Sequence, residues 1–260
     1  MEGVTPLEAS ISASSAADED LIWYAEGPYA WTFHLLEQAL SKFAGHLLVG
    51  GPNRVLHIGA HQGEELTYYL GIFDEIALVE PDPANTEVIE DRVRVTSSHS
   101  RVQIIQAAAV SGEGDRDWTG DRLIFNRYDF TPMSGTMERP DRTLVDQFAV
   151  QARPIQSLIR RYMPDLLVID TQGTELELAR AAARHCAEPD PVTGYTGPAM
   201  MIVEAYTPQR NARGKMRPKV KCAAELGELD AALGEYGWRR VVRWVYDTSL
   251  YTDACYVRGA

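Results

Sequence analysis

Five short apolar runs, at residues 54–58, 75–79, 102–107, 166–170 and 199–205, alternate with stretches of helical spacing that begin near Glu64, Pro83, Ile155 and Leu176. Each run is too short for a helix and is bounded by Gly, Pro or acidic residues, which is the signature of a buried strand. Strands that alternate with helices are joined by crossovers, so they lie parallel and the helices cover both faces of the sheet. The chain is therefore expected to be α/β with a mainly parallel sheet. Residues 223–236 predict one more helix, stopped at Gly237, and Trp238–Tyr246 with residues 253–258 predict a closing antiparallel hairpin. Between Ala108 and Arg153 the pattern weakens, and residues 111–142 read as short strands or an irregular insertion that serves as a substrate loop.

In such a sheet, ligands sit beyond the carboxyl ends of the strands. The first strand runs into Gly59-Ala60-His61-Gln62-Gly63-Glu64-Glu65, a tight turn into a helix, and the second ends at Glu80-Pro81. A glycine turn with an acid about 20 residues later is the plan of a nucleotide-type cofactor site, the acid holding a ribose. A dinucleotide fits poorly, because the glycine that lets backbone approach a pyrophosphate is replaced by His61. The turn has no Lys or Arg, and Glu64 and Glu65 would repel phosphate from a helix start. S-adenosylmethionine, which has an adenosine and a cationic sulfonium but no phosphate, suits an acidic turn of this kind better.

The ordered blocks at 55–65, Glu80-Pro81, 107–112 (Ala-Ala-Ala-Val-Ser-Gly), 166–175 (Leu-Leu-Val-Ile-Asp-Thr-Gln-Gly-Thr-Glu), Ile202-Val203-Glu204 and 253–258 resemble the FkbM family of S-adenosylmethionine-dependent methyltransferases. The Asp-x-x-Gly-x-Glu block from Asp170 to Glu175 is the most diagnostic. The resemblance implies a class I methyltransferase (Rossmann-like) fold with a seven-stranded sheet whose last strand is antiparallel. It also implies O-methylation of a hydroxyl on a sugar, polyketide or other natural product. Gly59, Ala60, His61 and Gly63 would then line the methionine and ribose of the cofactor, Glu80 beside Pro81 would bind the ribose hydroxyls, and Ala108 would border the adenine. Family members commonly carry an acid where this chain has His57, which leaves His57 either a cofactor contact or a core histidine bonded to backbone.

A hydroxyl that attacks a methyl group must lose its proton, which calls for a base or an acidifying metal. Asp170, at the end of the fourth strand beside the turn, is the first candidate, followed by Glu204 and by His61. Asp170 and Glu204 together form an oxygen pair able to bind Mg²⁺, although the sequence assigns no metal site. Gln172, Glu175 and Ser134 are the candidates for contact with the acceptor, Ser134 lying in the small-residue loop Met133-Ser-Gly-Thr-Met137. His34 and His99 read as surface or packing histidines. No Ser-His-Asp order or Gly-x-Ser-x-Gly elbow points to a hydrolase. Two other functions stay open: an NAD-dependent oxidoreductase, and a non-catalytic partner that keeps the fold.

The net charge of −12 over 260 residues argues against a nucleic-acid partner. The basic run from Arg210 to Lys221 reads as a solvated loop, with a lid over an acidic substrate as the sharper alternative. Cys186, Cys222 and Cys255 form neither a framework nor a zinc motif, and no apolar segment is long enough to cross a bilayer, so a cytoplasmic enzyme with a small-molecule acceptor is expected. Residues 1–20 predict a mobile acidic, Ser-rich tail, 21–50 an aromatic helical cap, and 51–260 the methyltransferase domain.

Overall fold

The structure is a computed structural model, and it describes residues 21–25, 53–96, 101–112, 122–129, 134–139, 142–206, 224–246 and 251–258. Its main sheet has eight strands. They are β1 (Leu21–Ala25), β2 (Arg54–Ile58), β3 (Glu75–Val79), β4 (Arg101–Ile105), β8 (Leu166–Ile169), β9 (Met200–Tyr206), β10 (Trp238–Tyr246) and β11 (Tyr251–Arg258). The spatial order is β4-β3-β2-β8-β9-β11-β10-β1. Strand β11 runs antiparallel to both β9 and β10, and the other pairings are parallel. The seven strands from β4 to β10 are the mainly parallel sheet that the sequence implied, closed by its antiparallel hairpin. Strand β1 extends this sheet along the edge of β10. Residues 21–25 were expected to open a helical cap, and there the expectation fails: the five residues pair as a strand, an arrangement that their run of apolar and aromatic residues also favours. The rest of the cap, residues 26–50, and the 1–20 tail lie outside the described residues, as does the basic run from Arg210 to Lys221.

Helices α1 (Leu66–Tyr69), α2 (Pro83–Val95), α3 (Ile155–Tyr162), α4 (Glu175–His185) and α5 (Leu226–Gly234) connect the strands. The period-two geometry of a strand sorts its side chains between the two faces. Leu56 and Ile58 of β2 pack with α3 and α4 through Ile155, Ile159, Leu178 and Ala182. Val55 faces the other side, in a cluster with Leu66 and Tyr69 of α1 and Ile89 of α2. Helix α2 begins where Asp82 caps it, its side chain accepting the Ala84 N–H at 2.9 Å, and Pro83 follows where a missing N–H costs nothing.

The stretch with a weak sequence pattern contains a second sheet of three strands, β5 (Ala108–Val110), β6 (Arg122–Tyr128) and β7 (Leu144–Pro154), in the order β5-β7-β6. Strand β7 was not anticipated, because its residues 144–149 are exposed or only partly covered and show no buried alternation. Phe125 and Phe148 pack across β6 and β7 with ring centroids 5.4 Å apart. Arg127 of β6 ties this sheet to the main one: its guanidinium donates to both oxygens of the buried Asp82 carboxylate, at 2.8 and 2.5 Å. Two donors in a fixed fork match a carboxylate, and the pair is stronger than neutral hydrogen bonds. Replacing Arg127 by Ala leaves Asp82 capping α2 while removing the tether. The expected cost is about 2 kcal/mol, or a fall in melting temperature of about 4–8 °C with the far-ultraviolet circular dichroism of the helices retained.

Candidate active site

The sheet order reverses direction between β2 and β8, and the residues just past those two strands meet there. The Asp170 N–H donates to the Ile58 carbonyl at 2.9 Å. Gly59 (φ +86°) passes so close to the Asp170 backbone that a Cβ would lie 1.6 Å from the Asp170 carbonyl oxygen. Only glycine fits here, for reasons of both conformation and space. The turn then spends its own donors. The N–H groups of Gly59 and Ala60 both bond the Val79 carbonyl, at 2.8 and 3.1 Å, and the Gly63 N–H bonds the Ala60 carbonyl at 2.7 Å. His61, itself at φ +45°, gives its N–H to Glu80 Oε2 at 2.9 Å. The amides of Gly59, Ala60, His61 and Gly63 are thus not open to a phosphate, in agreement with the missing middle glycine.

Glu80 is buried, and three donors hold it. Its Oε1 accepts the Asp82 N–H at 3.0 Å and the Asn85 side chain at 3.2 Å, while Oε2 accepts His61. Burial pushes its pKa up to about 7, against the opposing pull of those hydrogen bonds and of His61. The His61 ring lies 2.9 Å from Glu64 Oε1. Burial lowers the His61 pKa, but the hydrogen bond and charge of Glu64, with Glu80 and Glu65 nearby, outweigh it and raise the value. His57 is buried in β2. Desolvation takes its pKa down to about 4, the Tyr69 hydroxyl lies 3.1 Å from its Nδ1, and its buried Nε2 has no partner among the described residues. It is thus a core histidine bonded to a side chain rather than to backbone, and it also lines the cavity described next.

A cavity of about 630 Å³ opens beyond the strand ends. His57, Gly59, Ala60, His61, Glu80, Pro81, Ala108, Ser134, Asp170, Gln172 and Glu204 all line it, so most of the residues singled out from sequence converge on one space. Gly63 and Glu175 do not line it. Gly63 (φ +69°) shapes the turn beneath, against Ile89. Glu175, expected to contact the acceptor, is turned back into its own loop: it accepts the N–H of Thr171 at 2.9 Å, that of Gly173 at 2.9 and 3.0 Å, and the Thr171 hydroxyl at 3.1 Å. The Asp-x-x-Gly-x-Glu block therefore builds a turn in which the Glu clamps the backbone and Gln172 (φ +59°) is forced outward. The Gln172 amide then donates to Asp170 Oδ1 at 2.7 Å and to Glu204 Oε2 at 2.9 Å.

Oxygens of Asp170, Glu175 and Glu204 lie within 4.8 Å of one another, close enough to hold a cation. Glu175 is engaged by its turn, and the Gln172 amide occupies the space between the other two. The set does not present the open group of oxygens that Mg²⁺ requires, and no reaction step is assigned to a metal. Burial, joined by the mutual repulsion of these acids and of Asp253, raises the pKa of Asp170 and Glu204 well above the carboxylate range. Burial also brings Glu65 up to about 7.

Several contributors escaped the sequence reading. Asp253 stands opposite Glu204 in the β11–β9 register and is buried, and the signal for it was a lone acid within an otherwise apolar terminal strand. Phe125 and Asp129, brought by the small sheet, line the cavity beside Ser134 and Thr136 of the loop already singled out, and the Ser134 hydroxyl accepts the Tyr128 N–H at 3.1 Å. Only the fold of that sheet places Phe125 and Asp129 there.

A mainly parallel sheet with one antiparallel strand, β11, inserted between β9 and β10, and an acidic glycine turn at the strand switch point, define a class I methyltransferase. Residues 57–239 match the methyltransferase FkbM domain, and the chain belongs to that family. It is an S-adenosylmethionine-dependent methyltransferase, and the reading as an NAD-dependent oxidoreductase falls away. Among solved structures, it is similar to the CcbJ methyltransferase from Streptomyces caelestis, with 13% identity, 86% of this chain and 89% of that chain covered, and a TM-score of 0.43. It is likewise similar to magnesium protoporphyrin IX methyltransferase (ChlM) from Synechocystis PCC 6803, with 9% identity, 87% and 83% covered, and a TM-score of 0.46. No curated protein sequence matches the chain. Among the described residues, no helix is long and apolar enough to cross a membrane.

Two outcomes follow from this geometry. Gly59→Ala is expected to cost about 3 kcal/mol or more, seen as a large fall in the denaturant midpoint at unchanged slope, since the obstructing atom is backbone and cannot swing away. The second outcome concerns pH. Glu65, Glu80, Asp170, Glu175 and Glu204 all bind a proton more tightly in the folded chain than in the unfolded one. Their stabilising contribution is complete below the ordinary carboxylate pKa and is lost as pH rises through the raised values, about 7 for Glu65 and Glu80. His57 acts oppositely, contributing fully above 6.5 and losing that contribution as pH falls towards 4, but it is a single group. The melting temperature of the ligand-free protein is therefore expected to fall by about 5 °C or more between pH 5 and pH 8. Differential scanning calorimetry across that range measures it.

Proposed function

We propose that this methyltransferase acts in the cytoplasm on a hydroxyl group of a small natural product or sugar. The observation that carries this reading is the position of Asp170, which shares one cavity with the glycine turn and Glu80 while lying beside Gln172 and Glu204. S-adenosylmethionine supplies a methyl group already activated by its sulfonium. The protein therefore has to bind, align, exclude water and receive a proton.

Glu80 at the end of β3 is placed to accept the ribose hydroxyls, its carboxylate fixed in orientation by His61, Asp82 and Asn85. The small side chains of Ala107, Ala108 and Ala109 leave room for a flat base against the cavity wall. Gly59 and Ala60 let the methionine portion approach the turn. Lys and Arg are absent from the described cavity lining, which suits a cofactor with a net positive charge. On the opposite side, Ser134, Thr136, Asp129 and Gln172 offer the polar contacts a hydroxylated acceptor would use. Asp170 is the base, and His61, held by Glu64, is better suited to shaping the turn than to taking the proton.

Isothermal titration with S-adenosylhomocysteine tests the cofactor half, with Glu80→Ala expected to weaken binding at least about tenfold. For the chemistry, S-adenosylhomocysteine release is followed over a panel of hydroxylated sugars and aglycones. Asp170→Asn is expected to lower kcat about 10²–10⁴-fold while retaining S-adenosylhomocysteine affinity. Absence of binding by the folded protein, or full turnover by Asp170→Asn, would overturn the proposal.

A further inference from the structure

Asp170 and Glu204 stand at neighbouring strand ends, and a single amide group, that of Gln172, bridges them at 2.7 and 2.9 Å. One neutral NH₂ cannot offset the two negative charges of this half-buried pair. The other groups that face the pair add to the problem. Glu175 on α4 has an oxygen within the same 4.8 Å cluster, Asp253 lies opposite Glu204 on β11, Glu65 precedes α1, and the Tyr69 hydroxyl on α1 is held protonated by burial and by Glu65, Asp253 and Asp170. Two carboxyls with oxygens within 4.8 Å of each other, and only an amide between them, repel when both are ionised, so the pair titrates as a unit and keeps a proton. A cation in the cavity is what would release that proton, and the cofactor brings one.

We infer that the Asp170–Glu204 pair is a proton-holding dyad armed by the charge of the cofactor: binding S-adenosylmethionine drives a proton off the pair, and binding S-adenosylhomocysteine does not. This rests on the hydroxyl methylation proposed above. The dyad is then empty when the acceptor arrives. As the new O–CH₃ bond forms and the carbon–sulfur bond breaks, with its electron pair left on sulfur, the hydroxyl proton passes to Asp170. The site loses one positive charge at sulfur and one negative charge at the dyad together, so its net charge is unchanged. Asp170 is the proton acceptor, and Glu204 and Gln172 are positioning residues that act through it.

Titration calorimetry of the full chain without acceptor, in buffers of different ionisation enthalpy at pH 7, counts the protons exchanged. S-adenosylmethionine is expected to release on the order of half a proton per site more than S-adenosylhomocysteine. Sinefungin, which carries an ammonium in place of the sulfonium methyl, is expected to behave like S-adenosylmethionine. Any proton moved at Glu80 by ribose binding is common to all three ligands and cancels. In Asp170→Asn and in Glu204→Gln the difference is expected to shrink towards zero, and the preference for S-adenosylmethionine over S-adenosylhomocysteine to fall about tenfold. Equal proton counts for the charged and neutral ligands, or a difference that persists in both variants and vanishes in Glu65→Gln, would overturn the dyad while leaving hydroxyl methylation standing. Failure of every ligand to bind would overturn both.

Discussion

The contact on which the site depends is one between backbones: the α-carbon of Gly59 against the carbonyl of Asp170, with the Asp170 N–H on the Ile58 carbonyl. It joins the ends of β2 and β8 at the point where the sheet order reverses, the place where an open parallel sheet leaves a crevice. Because no side chain separates the two segments, the glycine turn and the acid of the Asp-x-x-Gly-x-Glu block share one wall of the same cavity. Any Cβ at residue 59 would push them apart.

Around that contact, the protein concentrates carboxylates at the buried and half-buried strand ends. They differ in how they are satisfied. Glu80 has three donors, Glu175 has the amides and hydroxyl of its turn, and Glu64 has His61. Asp170 and Glu204 have between them the Gln172 amide. The first three are fixed parts of the frame, whereas the last two keep acceptor capacity directed at the cavity. A cofactor that arrives positive and leaves neutral is matched to such an arrangement. The small sheet completes the enclosure, held to the main one by Arg127 on Asp82, so the residue that starts α2 also positions the outer wall.

Much of this was legible in the sequence where a local rule fixes local geometry. The apolar runs at 54–58 and 75–79 became strands with those bounds, and Asp82-Pro83 opened a helix, since strand length, capping and proline chemistry act over a few residues. Glu80 and Asp170 reached the cavity because strand ends in a parallel sheet must point to one rim. Glu175 was misplaced because motif membership does not say which way a side chain turns, and the turn's own N–H groups claimed it. Strand β7 was missed because half of it has little buried surface, and residues 21–25 were misread because a short aromatic run has no periodicity to separate strand from helix.

By itself, the sequence determined the class of fold, the kind of cofactor and the identity of the turn and strand-end residues. Each follows from spacing, from the conformational freedom of glycine, or from charge that a phosphate would not tolerate. Tertiary structure alone decided which carboxylates become partners. Asp170, Glu204 and Asp253 are 34 and 49 residues apart in succession along the chain, and only the insertion of antiparallel β11 beside β9 sets Asp253 opposite Glu204. The pairing energy of such groups depends on distance and desolvation, and neither exists until the sheet has closed over them.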